Sequence, residues 1–142
     1  MSIVDLHLHT TASDGRLTPT QLIQLVAHQG LETVAITDHD TTQGLPEAFE
    51  AAKAFPKLRL IPGIELSTDI PSGEMHLLGY FIDLNHQEFQ DTMARNREGR
   101  VGRAKEMVRK LRDMGVLIDW ERVSQLAGDG AIGRPHIALA MV

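Results

Sequence analysis

Three short apolar runs, separated by helix-length stretches and each closing on an imidazole or a carboxylate, constrain this chain more than any other feature. The run Val4-Asp5-Leu6-His7-Leu8-His9 alternates, so on an extended strand Asp5, His7 and His9 share one face and Val4, Leu6 and Leu8 the other. Thr33-Val34-Ala35-Ile36-Thr37 is β-branched and continuous, as in a buried parallel strand, and ends in Asp38-His39-Asp40. Leu58-Arg59-Leu60-Ile61-Pro62-Gly63-Ile64-Glu65-Leu66 again closes on an acid. Between the first two runs, Thr18 reads as an N-cap with Pro19 in the first turn, and Leu22, Ile23, Val26 and Ala27 follow at helical spacing up to Gly30. Between the second and third, Gly44 opens an alanine-rich helix through about Phe55, ended by Pro56. Strand, helix, strand, helix, strand is the α/β pattern, with right-handed crossovers and parallel strands.

After a turn at Ser72-Gly73, residues 75–82 read as a fourth strand with His76 at its entrance, and its pairing is expected to be antiparallel. From Asn85 the chain turns polar and helical, with Phe89, Met93, Ala104, Val108 and Leu111 as an apolar stripe and Gly115 as a stop. A short helix over residues 120–126, a turn at Gly128-Asp129-Gly130 and a last helix from Gly133-Arg134-Pro135-His136 complete it. The expected division is a strand-bearing portion, 1–84, and a helical segment, 85–142.

Composition narrows the chemistry. A chain of 142 residues, 42% of them apolar, fits one compact domain or one with a small appendage. With 19 acidic against 14 basic residues, the net charge of -5 gives no general attraction to nucleic acid or membranes, so an anionic substrate needs a local site. Cysteine is absent, which leaves imidazole, carboxylate and water as metal ligands. No run approaches the roughly twenty apolar residues of a membrane span, and the N-terminus has no secretory pattern, so a cytoplasmic protein is expected.

Strand ends on one side of a parallel sheet converge on one rim. His7, His9, Asp14, Asp38, His39, Asp40, Glu65 and His76 are therefore candidates for a joint site. Each has a plainer reading. An isolated His-x-His hydrogen-bonds to backbone, His39 caps a loop, Glu65 pairs with Arg59 or Arg16, and Asp40 caps the next helix. Taken jointly, three successive strands delivering such groups to one rim favour metal binding.

The motifs Asp5-Leu6-His7-Leu8-His9-Thr10-Thr11-Ala12-Ser13-Asp14-Gly15, Ile36-Thr37-Asp38-His39-Asp40, Pro62-Gly63-Ile64-Glu65, Gly73-Glu74-Met75-His76-Leu77-Leu78-Gly79-Tyr80 and Gly133-Arg134-Pro135-His136-Ile137-Ala138 occur in that order. Together the chain resembles the PHP (polymerase and histidinol phosphatase) superfamily of metal-dependent phosphoesterases, in the branch that hydrolyses nucleotide and oligonucleotide phosphates. The resemblance implies an α/β fold, a partial distorted seven-stranded β/α barrel of the PHP type with a helical insertion. It implies two or three divalent ions (Mn, Zn or Fe, with Mg also admissible) held by His7, His9, Glu65 and His76, with Glu65 bridging two of them. Asp14 and His39 would serve a third ion, while Asp38 and Asp40 stand as supporting or capping residues. Members of this family run further, and their later segments add an Ala-His-Pro histidine and an Asp-x-His pair to the cluster. A fragment of such a barrel, or a short form that dimerises to cover its sheet, is therefore expected, with weak or no turnover by these 142 residues alone.

Such a centre would hydrolyse a phosphate ester of a nucleotide, such as a 3′,5′-bisphosphate, with a metal-activated water. A 5′-to-3′ exoribonuclease acting on short RNA ends and a noncatalytic metal-binding module are the rival readings. His39 or His136 would protonate the leaving group, with Asp14 the third catalytic candidate. Arg134, beside His136 at a helix start, is a phosphate clamp or else pairs with Asp129 or Asp119. Arg97 and Arg100 would contact a second phosphate if they face the rim, and otherwise belong to a solvated face with Glu98 and Glu106. Trp120 stacks on a base or packs in the core.

Overall fold

The computed structural model describes residues 3–70 and 73–142. Its elements are β1 (Val4–Leu8), α1 (Pro19–His28), β2 (Thr33–Ile36), α2 (Leu45–Ala52), β3 (Arg59–Ile70), β4 (Gly73–Tyr80), α3 (Gln87–Asp113), α4 (Trp120–Ala127) and α5 (Arg134–Ala140). The four strands form one sheet in the order β1-β2-β3-β4. β1, β2 and β3 pair in parallel, and β4 runs antiparallel to β3 with Ser67 opposite His76 and Glu65 opposite Leu78. The sheet is curled, because the Tyr80 hydroxyl at the end of one edge strand donates to the Leu6 carbonyl in the other at 3.0 Å. This is part of a distorted barrel, as expected.

Local sequence accounts for most boundaries. Thr18 and Gln21 form a reciprocal capping box at the start of α1 (3.2 and 3.0 Å), with Pro19 in the first helical turn. α2 stops at Ala52, three residues short of the expected end, and a turn in which Phe55 N–H donates to the Ala52 carbonyl (2.9 Å) carries the chain to β3. β3 runs on past the apolar segment to Ile70, because pairing with β4 gives its polar second half a hydrogen-bonded partner. Of the turn expected at Ser72-Gly73, Ser72 lies outside the described residues and Gly73 is already the first residue of β4. The polar stretch after Asn85 is one continuous helix, α3, of 27 residues, ended by Gly115 at φ +85°.

Two apolar clusters hold the molecule together. The first joins the sheet to α1 and α2 through Leu22, Ile23, Val26, Val34, Ile36 and Leu45. The second lies among α3, α4 and α5 and includes Ala104, Val108, Ile118, Val123, Ile132 and Ile137. Trp120 packs on the second cluster with the Lys105 ammonium 5.3 Å from its ring centre, so the core reading of this aromatic holds. Among the described residues, no helix is long and apolar enough to cross a membrane.

Ile36 is completely buried in the strand that ends at the site. Ile36→Ala is expected to lower the unfolding free energy by about 2–5 kcal/mol, whereas Leu117→Ala, at a position 98% exposed, should change it by no more than about 0.5 kcal/mol, both read from urea denaturation.

Candidate metal centre

Glu65 leaves the apolar part of β3 with its carboxylate almost fully buried, and four imidazoles surround it. His7 Nε2 lies 2.8 Å and His9 Nε2 3.0 Å from Oε2, His76 Nδ1 lies 2.6 Å from Oε1, and His39 Nδ1 is 3.7 Å from Oε2. Asp14 adds a second carboxylate, 3.5 Å from His9 Nδ1 and 3.6 Å from His39 Nε2. Neighbouring rings are 4.8–5.1 Å apart between centroids along the series His7, His9, His39, His76. Three overlapping triads thus have ligand atoms within 4.8 Å of one another: His7, His9 and Glu65; His9, Asp14 and His39; His39, Glu65 and His76. All six residues expected to bind metal are brought together.

The acids flanking His39 build this arrangement from behind. Asp38 is buried and accepts from the Thr10 N–H (2.7 Å), the Thr10 hydroxyl (2.7 Å) and the Ser13 hydroxyl (2.6 Å), which fixes the loop after β1 and aims Asp14 at the imidazoles. Gly15 N–H returns to the Thr10 carbonyl at 2.9 Å, and a β carbon at Gly15 would collide with the His9 carbonyl, so the loop closes this tightly only around glycine. Glu65 N–H donates to the Asp38 carbonyl (3.2 Å) and Asp40 N–H to the Glu65 carbonyl (2.9 Å), stitching the segment that bears His39 onto β3. Asp40 does not cap α2, whose N-cap is Gly44. It accepts instead from Ser67 N–H and, on its other oxygen, from the Arg100 guanidinium.

The residues expected around the cluster divide. His136 is buried, and its Nδ1 accepts from the Gly133 N–H at 3.0 Å, so in the neutral ring Nε2 carries the proton. It lines an open groove of about 690 Å³ together with Asp14, Thr11, Arg16, Leu126 and Pro135. Arg134 is exposed at the start of α5, and Asp119, one of its alternative partners, is engaged by Arg112 at 3.0 Å. Arg97 is half-buried on α3. Arg100 is turned away from a solvated face: its nitrogens meet Asp40, Ser67 and the Ile132 carbonyl. Sequence reasoning missed that role, although one signal was there. Arg100 falls at helical spacing in the buried stripe of Met93, Ala104 and Val108, where an arginine needs a buried acceptor.

Charge is distributed to suit a cation. Burial alone would push the Glu65 carboxyl up, but the hydrogen bond from His7 and the charges of His39, His9 and His7 bring it below the usual carboxylate range. Burial pushes the His39 imidazole down, the Arg100 charge adds to this, and Asp14 and Glu65 oppose it. Burial likewise lowers His136, against Asp14 and the Gly133 hydrogen bond. The cluster therefore holds an ionised carboxylate beside a neutral imidazole. His39 Nδ1 is moreover buried with no hydrogen-bond partner. An orphaned imidazole nitrogen facing a carboxylate fits a divalent cation, as does the borderline-hard set of nitrogen and oxygen donors.

Two measurements follow. Without metal, the chain should lose stability on acidification. His39 and His136 have lowered folded values, so their contribution is complete above about pH 6.5 and disappears as pH falls through those values. Glu65 acts in the same direction further down, since its stabilisation is lost as pH falls through its own lowered value. Denaturant titrations at a series of pH values should give a flatter dependence for His39→Gln; an unchanged slope would remove His39 from this account. Gly15→Ala should displace the Asp14 loop and weaken Zn²⁺ binding by roughly 10-fold or more in a chelator competition, and wild-type affinity would show that the tight loop is dispensable.

Comparison with known proteins agrees with the geometry. A family model described as the PHP domain matches residues 5–119. The 5′-3′ exoribonuclease Rnm of Salmonella typhimurium is 40% identical over 141 residues, which is 99% of this chain and 48% of that protein. The 3′,5′-nucleoside bisphosphate phosphatase of Chromobacterium violaceum is 37% identical over 116 residues, 82% of this chain and 40% of that protein. A crystal structure from Bifidobacterium adolescentis, described as that of a metal-dependent phosphoesterase, superposes with a TM-score of 0.88 at 37% identity, covering 98% of this chain and 49% of its own. The chain spans about half the length of the curated relatives it matches. With four imidazoles and two carboxylates gathered on the rim of a partial barrel, and with that match along most of its length, the chain belongs to the PHP domain family.

Proposed function

We propose that the full-length gene product is a metal-dependent phosphoric ester hydrolase acting on phosphorylated nucleotides, such as a nucleoside 3′,5′-bisphosphate. The observation that carries this reading is the Glu65 carboxylate set among four imidazoles beside Asp14, next to a groove large enough for a nucleotide. His7, His9 and Glu65 would hold one divalent ion, His39, Glu65 and His76 a second, and His9, Asp14 and His39 a third, of the Mn, Zn or Fe type. Bound there, the ions would lower the pKa of a water and neutralise phosphoryl oxygens during in-line displacement.

The chain's own residues then have distinct tasks. Asp38 holds the Asp14 loop and keeps that carboxylate facing His9 and His39. His136, neutral and with its proton on Nε2, lines the groove and would pass that proton to a leaving oxygen. His39, whose two ring nitrogens face Asp14 and Glu65, is taken up as a ligand and leaves that transfer to His136. Arg134 and Arg97 supply positive charge for phosphate in a protein whose net charge is -5. Arg100, with its nitrogens already bonded, supports the site from behind.

A second reading, a 5′-to-3′ exoribonuclease on short RNA ends, is favoured by the 40% identity to Rnm across 99% of the chain, a longer match than the phosphatase gives. Both readings need the same centre. Full-length gene product loaded with Mn²⁺ should release phosphate from a nucleoside 3′,5′-bisphosphate, and His9→Ala should abolish that release; an unchanged rate in the variant would refute the metal assignment. A large preference for a 5′-phosphorylated oligoribonucleotide, measured on the same preparation, would select the nuclease reading.

A further inference from the structure

Arg100 and Asp40 form a buried ion pair that reaches from α3 to the segment bearing His39. Arg100 is 9% and Asp40 1% exposed, and Arg100 Nε lies 2.5 Å from Asp40 Oδ2. Another guanidinium nitrogen donates to the Ser67 hydroxyl, and the third donates to the Ile132 carbonyl at 3.4 Å. Asp40 uses its remaining oxygen for Ser67 N–H (3.1 Å) and the Asn96 side chain (3.5 Å). One guanidinium therefore joins the residue after His39, the residue two beyond Glu65, and the residue before the Gly133-Arg134-Pro135-His136 turn.

The backbone at this point has reason to need holding. Asp40 sits at φ +50°, a left-handed conformation uncommon outside glycine, directly after the two peptide hydrogen bonds to Glu65 that flank His39. A buried ion pair gives little net stability over an apolar contact of the same volume, because both charges lose their hydration. What it does give is direction: a planar fork with fixed donors allows its acceptors only a narrow set of positions.

We propose that Arg100 is a positioning residue for the metal centre, fixing through Asp40 and Ser67 where His39 and Glu65 present their ligand atoms. It touches neither the ions nor the substrate. The proposal rests on the metal reading above, and its test is arranged so that the two fail separately.

Zn²⁺ affinity is measured on this chain by competition with a chromophoric chelator, for wild type, H9A, H39A, R100K, the double variant R100K/H39A, and R109Q. Arg109 pairs with Glu106 and Asp113 on the exposed side of α3 and serves as the control. H39A should bind more weakly than wild type, R100K should lose roughly 10–100-fold, and R109Q should match wild type. Because Arg100 acts through the His39 segment, R100K/H39A should lose much less than the product of the two single losses. A folded R100K with wild-type affinity overturns the proposal, and so do fully additive losses, which would mean that Arg100 and His39 act independently. Wild-type affinity in H39A would instead remove His39 from the ligand set and overturn the positioning role, whereas wild-type affinity in H9A would overturn the metal reading itself. Should R100K lose its fold by circular dichroism, the same cycle is run with S67A, which removes one acceptor and leaves the ion pair; an unchanged affinity there also overturns the proposal.

Discussion

The buried Glu65 carboxylate sets the terms for the rest of the molecule. Taking such a group out of water costs several kcal/mol unless partners replace its hydration. Here the partners are imidazoles delivered by β1, by the residues just after β1 and β2, and by β4. That requirement explains the sheet order. β1, β2 and β3 run parallel, so their carboxyl ends share a rim with Glu65. β4 runs the other way, and its first half pairs with the part of β3 beyond Glu65. His76, expected at the entrance of its strand, is instead the fourth of the eight residues of β4, opposite Ser67, while His7 lies within β1 and His9 and His39 lie beyond the ends of β1 and β2.

Asp38, His39 and Asp40 show how a short segment can serve several elements at once. Successive residues in extended chain point in opposite directions, and the left-handed turn at Asp40 then redirects the third side chain. Asp38 turns back to Thr10 and Ser13, His39 faces the cluster, and Asp40 turns towards α3. The two acids are thus not surplus ligands. Each uses its charge to hold something else in place, Asp38 the loop that carries Asp14 and Asp40 the helix that carries Arg100. Four imidazoles close together would repel if protonated, and the same packing that buries His39 keeps its neutral form favoured.

Much of this was legible in the sequence because it depends on short-range pattern. Alternation in Val4 to His9, the apolar run before Asp38 and the capping residues Thr18 and Pro19 give elements, order and the common rim without knowledge of any long-range contact. Convergence of strand ends gave eight candidates for one rim, and the resemblance to the PHP family narrowed the ligands to six, His76 of the antiparallel β4 among them. What could not be read were choices among partners distant in the chain. Glu65 had Arg59 and Arg16 as plausible partners, and Asp40 had a nearby helix to cap; only the folded packing selects imidazoles for one and Arg100, sixty residues away, for the other. The end of α2 and the extension of β3 were misjudged for a related reason, because both are set by pairing and packing across elements and not by local propensity.

The two apolar clusters meet in a polar seam, and the site lies along it. Gln90 of α3 bonds to Thr42, Arg100 to Asp40, and Ala131 N–H to the Ala12 carbonyl at 2.8 Å. Apolar contact holds surfaces together but scarcely specifies how they are registered, since its energy follows buried area. Hydrogen bonds weaken steeply when their angles change, so a seam of them fixes register even where it adds little net stability. The ligand set comes from β1, β3, β4 and the residues after β1 and β2, and the segment that carries His39 is tied through Asp40 to α3. Any shift of α3 against the strand ends would strain the Arg100 to Asp40 bond and, with it, the segment that presents His39.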